Sequence, residues 1–132
     1  MDLEILKIAS NTENHKILNN YTHSSKLKNP ICGDEMQISL KVSKEKIVDF
    51  AYQCKSCIYC QASVSLLSRS SINKSIKAVK EFVASIDNSF NNNKTKFPKE
   101  WKKLEVLFNK KNISRKECIL LPFKTLAMAL KT

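Results

Sequence analysis

Five cysteines in 132 residues carry most of the chemistry this sequence offers. Three stand together in Gln53-Cys54-Lys55-Ser56-Cys57-Ile58-Tyr59-Cys60-Gln61. The others are Cys32, in Cys32-Gly33-Asp34, and Cys118, in Arg115-Lys116-Glu117-Cys118. Thiolates bind soft metals and attack sulfur. The N-terminal Met-Asp-Leu-Glu-Ile-Leu-Lys has acids early and only a short apolar patch, so a secretory signal is not expected and a cytoplasmic location is. Reduced thiols are the rule there, and an odd cysteine count leaves one thiol over in any case. Metal binding or thiol chemistry is therefore expected before a disulfide framework.

The local patterns differ in what they specify. Cys54-x2-Cys57-x2-Cys60 resembles the start of a ferredoxin cluster motif, but that motif wants a fourth cysteine nearby followed by proline. Here Gln61-Ala62-Ser63-Val64 follows, and the next cysteine is Cys118. Gly33 is the only glycine in the chain. It permits backbone angles other residues resist, and would let Cys32 and Asp34 converge on one point. A plain turn after Pro30 accounts for the same residues. Cys57 falls between a predicted strand and a predicted helix, where the helix N-terminus favours a thiolate; a buried structural cysteine is the alternative. Cys118 precedes the last predicted helix in a similar setting, with Arg115 three residues before it, either supporting the thiol or simply solvated.

The elements that must position these residues follow from periodicity. Residues 2–9 and 13–20 predict short helices, and 21–27 an edge strand. Asn29-Pro30 is a break. Met36 to Val42 alternates apolar and polar, a half-buried strand. Ser43–Lys46 is a turn and Ile47–Tyr52 a second strand, so the pair reads as a hairpin. Helical spacing begins at Ile58 and runs to Ile72, with Asn73 as the left-handed closing residue. Ser75 caps a helix carrying Ile76, Val79, Phe82, Val83 and Ile86 on one face. Asn91-Asn92-Asn93-Lys94 is a loop. Pro98 opens a helix with Trp101, Leu104, Leu107 and Phe108. Ile113–Glu117 is a connector, and Leu120–Leu130 a last helix with Pro122 in its first turn. Strands first and helices after predict an α+β domain, a small antiparallel sheet of about three strands packed on helices. One domain is expected over 1–132, with residues 1–28 supplying the N-terminal helix and edge strand, and 29–130 the motif-bearing core.

A net charge of +11 points to an anionic partner, either nucleic acid or an acidic protein surface. The densest lysines are in Lys94–Lys103 and at Lys110 and Lys111. No aromatic residues alternate with them in a base-stacking pattern, and the near absence of glycine excludes RRM and KH signatures. A basic nucleic-acid binder with a structural zinc is thus the remote alternative. No run of about 18 apolar residues predicts a membrane span.

Asn29-Pro30-Ile31-Cys32-Gly33-Asp34 resembles the N-P-x-C-G-D signature of the IscU/SufU/NifU N-terminal family of iron–sulfur assembly proteins. Cys57 followed by Ala62-Ser63-Val64-Ser65 is similar to the family's second block, G-x-G-C followed by A-S-A-S. Arg115-x-x-Cys118-x-x-Leu121-x-Phe123-x-x-Leu126 is similar to its third. The resemblance runs from about Asn29 to Leu130. It is closest to the SufU type: Glu117 stands where IscU-type members carry a histidine, Arg115 is SufU-like, and a helical insert spans residues 91–112. His15 and His23 are expected at the surface. The chain departs from the pattern at Cys54 and Ser56, which replace two glycines, and at Cys60.

The resemblance implies a four-ligand site of Cys32, Asp34, Cys57 and Cys118, holding zinc or, alternatively, iron or a [2Fe–2S] cluster. It implies that Cys32 accepts persulfide sulfur from a PLP-dependent, SufS-like cysteine desulfurase. The alternative is a scaffold that assembles a [2Fe–2S] cluster and passes it to downstream iron–sulfur assembly or acceptor proteins. Gly33 and Arg115 would support the site. Cys54 and Cys60 are accessory thiols, either inert in the core, or a spare ligand or relay in the case of Cys54. Tyr52 and Tyr59 are expected to serve packing.

Overall fold

A computed structural model describes residues 3–31, 33–86 and 97–131. Cys32 and the expected loop at 91–94 lie outside the described residues. The order is α1 (Leu3–Ala9), β1 (His23–Lys28), β2 (Glu35–Ser43), β3 (Lys46–Lys55), α2 (Ile58–Ser71), α3 (Ile76–Ser85), two 3-10 segments (Lys99–Phe108 and Lys110–Arg115) and α4 (Lys116–Ala129).

The three strands form one antiparallel sheet in the order β1-β2-β3. Met36, Ile38 and Leu40 on β2 are fully buried, while Gln37 and Ser39 between them keep partial exposure. Period-2 alternation therefore sets which face meets the helices. Register places Met36 opposite Cys54, Ile38 opposite Tyr52 and Leu40 opposite Phe50, all directed to that face. Helices α2 and α4 pack on one another and on the sheet, and α1 packs on α2.

The β2–β3 turn uses Lys44 and Glu45, both at positive φ (51° and 65°). Its far side is pinned by the α2–α3 connection: Ile47 N–H donates to Lys74 O, Asn73 N–H to Ile47 O, and Ile76 N–H to Glu45 O. Asn73 takes the left-handed conformation that closes α2 (φ 73°), and Ser75 caps α3 by accepting from the Ala78 N–H at 3.1 Å.

Three expectations need correction. Residues 13–20 form turns, not a helix. Asn14 is drawn into the interior, where its Nδ2 donates to Ser68 Oγ at 3.0 Å and its carbonyl accepts the Tyr52 N–H. Those contacts lay the segment along the open edge of β3, and they outweigh a short helix that has no second hydrophobic face to bury. The segment after Pro98 is helical but of 3-10 type. The side chain of buried Asn112 donates to the carbonyls of Val106 and Leu107, giving that segment's C-terminal end its partners. Finally, α4 starts at Lys116 rather than Leu120, so Cys118 lies in its first turn and Pro122 inside it. Pro122 has no N–H to offer the carbonyl of Cys118, four residues before it.

The described part of the insert is anchored by aromatic rings. Phe82 stacks on Trp101 with centroids 4.2 Å apart, and Phe108 packs edge-on to Phe123 at 5.7 Å. This ties α3, the 3-10 segments and α4 into one core.

Candidate metal centre

Three segments converge at one end of the sheet. The first is the β1–β2 loop. Asn29 is buried and organises it: its N–H donates to Asp34 O and its carbonyl accepts the Gly33 N–H, both at 2.8 Å. Its side-chain Oδ1 accepts the Ile31 N–H at 2.9 Å, an Asx turn. Gly33 adopts φ +78°, the left-handed region that glycine enters without strain. The loop turns the Asp34 carboxyl inward to 8% exposure.

The second segment is the corner between β3 and α2. Cys57 is the N-cap residue of α2, and no side chain caps that helix locally. The Cys57 N–H instead points to Asp34 Oδ2 at 3.5 Å, a long contact. The third is the N-terminal turn of α4, which brings in Cys118; Arg115 is its N-cap residue, again without a side-chain cap. Two helix N-termini thus face the site, and their partial positive charge favours anionic ligands.

The outcome is a cluster of Asp34, Cys57 and Cys118 whose ligand atoms all lie within 4.8 Å of one another. Asp34 and Cys118 are buried and Cys57 is half-buried, so the centre opens to solvent on one side. Two sulfurs and one carboxylate oxygen at such spacing suit a tetrahedral divalent metal, with one position left for a further donor. Residues that are 23 and 61 positions apart along the chain are therefore brought together. Cys32, the fourth expected ligand, lies outside the described residues.

The remaining expected residues fall around this cluster. The Arg115 guanidinium lies over the Tyr59 ring, 5.5 Å from its centroid, bridging the first turns of α4 and α2. Cys54 is half-buried at the end of β3 and Cys60 fully buried in α2. Burial pushes the Cys54 thiol up from its ordinary value, and pushes the Cys60 thiol up much further. Tyr52 is a core residue whose ring stacks on His15 at 5.1 Å. Two site supports carry no clear mark in the sequence. Asn29 reads there as a break and as the first residue of the family signature, not as the centre of the loop's hydrogen bonds, although Asn before Pro is a signal for the Asx turn it makes. Tyr59 reads as packing, and nothing in the sequence pairs it with Arg115.

Residues 2–106 match the family model of the NifU-like N-terminal domain. The chain belongs to that family. Cys118 lies beyond the matched residues, and its place in the cluster rests on the fold. A neighbour of solved structure, from Fervidobacterium islandicum, carries the description of an iron–sulfur cluster assembly scaffold protein for the SUF system. It shares 26% identity and a TM-score of 0.88, over 99% of this chain and 96% of that one. A nitrogen-fixing NifU-like protein (N-terminal) from Brucella abortus aligns with a TM-score of 0.85 at 21% identity, over 98% and 91% of the two chains, a likeness of fold. No curated protein matches the chain by sequence. Among the described residues, no helix is long and apolar enough to cross a membrane.

Proposed function

We propose that this protein acts in iron–sulfur cluster biogenesis as an acceptor of persulfide sulfur from a PLP-dependent, SufS-like cysteine desulfurase. One observation carries the reading: in a NifU-like fold, the ligand atoms of Asp34, Cys57 and Cys118 lie within 4.8 Å of one another. Cys32 completes the set as fourth ligand and sulfur acceptor. The donor types fit zinc, which when bound keeps its thiolates deprotonated and shielded. Asp34, the hard ligand among soft ones, makes the set a less tenacious grip than four thiolates.

The transfer itself is thiol exchange. The Cys32 thiolate attacks the outer sulfur of the desulfurase persulfide. The new bond gives Cys32–S–SH, the old S–S bond breaks, and the desulfurase cysteine leaves as thiolate. Arg115 and Gly33 support this site, the first by bridging the α2 and α4 ends, the second by shaping the loop. Adding the protein is expected to raise the turnover of a cognate desulfurase, and Cys32→Ala to abolish the gain. An unchanged rate with the wild-type protein refutes the reading.

A second reading has support in the description of the Fervidobacterium neighbour: a scaffold on which a [2Fe–2S] cluster, as cargo, is built and passed to acceptor proteins. Thiolates suit that cargo equally. Anaerobic reconstitution that yields no visible-range absorbance from bound cluster would count against it.

A further inference from the structure

Two thiols beside the centre have no part in the ligand set. Cys54 is the last core-facing residue of β3, opposite Met36 in the ladder, and Asp34 lies two residues before Met36, just outside β2. Cys60 stands one helical turn beyond Cys57 in α2 and is wholly buried. Only Ser56 and Cys57 separate strand from helix, and Cys54 packs against the apolar core that contains Cys60. The hydroxyl of Ser56 is buried there and makes no hydrogen bond of good geometry. Its neighbours are the two thiols, and both thiols feel the Asp34 carboxylate. A second sulfur pair thus lies at the corner next to the metal ligands, one thiol half-exposed and one sealed in the core.

We propose that Cys54 and Cys60 form a dithiol that reduces a sulfane sulfur held at the centre and releases it as sulfide. The inference rests on the sulfur-acceptor reading for its physiological substrate. Cys54 attacks the outer sulfur of a persulfide R–S–SH; the S–S bond breaks, R–SH leaves as thiol, and Cys54–S–SH forms. Cys60 then attacks the inner sulfur of Cys54. The Cys54–Cys60 disulfide forms and hydrogen sulfide leaves. In sum, R–S–SH plus two thiols gives R–SH, hydrogen sulfide and one disulfide: the sulfane sulfur takes two electrons and the two cysteines lose them. A single round needs no other reductant, and a further round needs a dithiol to reopen the disulfide. Each attacking thiol passes its proton to the sulfur that leaves, so R departs as R–SH and the outer sulfur as hydrogen sulfide.

The test loads the zinc-bound protein with sulfur anaerobically in two ways, with inorganic polysulfide and with a cysteine desulfurase plus cysteine. Excess donor is removed by desalting. Released sulfide and alkylated peptides are then measured. The expected result is one sulfide per persulfide lost, together with a Cys54–Cys60 disulfide in the peptide map. Cys54→Ser and, separately, Cys60→Ala are expected to load as wild type yet release sulfide roughly tenfold more slowly or worse. Should Cys60→Ala fail to fold, Cys54→Ser alone decides. The proposal is overturned if the persulfide of the wild type persists, or if release continues unchanged in the variants, or if the disulfide joins other cysteines. Loading by polysulfide but not by the desulfurase, followed by release, would keep the dithiol and reject the desulfurase reading. A persulfide loaded by the desulfurase that stays in place would do the reverse.

Discussion

Gly33 sits at φ +78° with open space where a Cβ would project, so a side chain there meets backbone strain and no clash. Gly33→Ala is expected to cost about 1–2 kcal/mol. Expressed through the loop that aims Asp34, that is roughly a tenfold loss of zinc affinity. Gly33→Asn should recover part of it, since Asn tolerates the left-handed region better. Competition against a chromophoric zinc chelator measures both variants, and equal affinity for Ala and Gly would show that the loop does not aim the ligand. Replacing a ligand directly is harsher. Cys57→Ser and Cys118→Ser are each expected to weaken zinc binding by about a hundredfold or more, whereas Cys54→Ser should leave it within about twofold. Cys60 adds a pH effect. Burial raises its thiol above the ordinary value, so the folded state keeps the proton while the unfolded chain loses it as pH climbs past about 9. The stability from this thiol is whole below that point and declines above it. Thermal melts of Cys60→Ala should fall off less steeply than wild type between pH 8 and about 10; parallel curves would remove Cys60 as the cause.

At the level of elements, the strands and the α2–α3 pair are legible in the sequence because periodicity and caps agree: strict alternation in β2, Asn73 at the left-handed position and Ser75 at the cap. Residues 13–20 mislead because their fate is decided by Asn14 reaching Ser68, 54 positions away, which no local pattern carries. The start of α4 misleads because Pro122 looks like a first-turn proline, while the helix follows directly on the 3-10 segment that ends at Arg115 and tolerates Pro122 inside it. The site shows the same division. Cys57 at a strand–helix corner can be read directly, but the meeting of Asp34, Cys57 and Cys118 depends on two loops and two helices closing together. One element retains local strain. Lys44 and Glu45 occupy positive φ in a two-residue hairpin turn that favours Asn-Gly. Replacing the pair by Asn-Gly should stabilise the fold by about 1 kcal/mol, raising Tm by roughly 3–6 °C. A lower Tm would mean the lysine and glutamate side chains contribute more than their backbone costs.

For the whole molecule, the charge of +11 makes association with an acidic partner dependent on salt. Binding to a desulfurase is expected to slow markedly from low to physiological ionic strength, read as the association rate. Steep salt-dependent binding to DNA or RNA would favour the remote nucleic-acid alternative instead. The cluster of Asp34, Cys57 and Cys118 has one more property at this scale. Its members belong to the sheet's first loop and to the leading turns of two different helices. A metal held there is a crosslink between the layers, joining parts of the chain 84 residues apart. Occupancy at about a hundred times Kd should add roughly 2.7 kcal/mol to stability. Whatever draws a ligand away from the metal therefore removes that crosslink, and on the proposed function the delivery of sulfur would loosen α2 and α4 against the sheet in the same event.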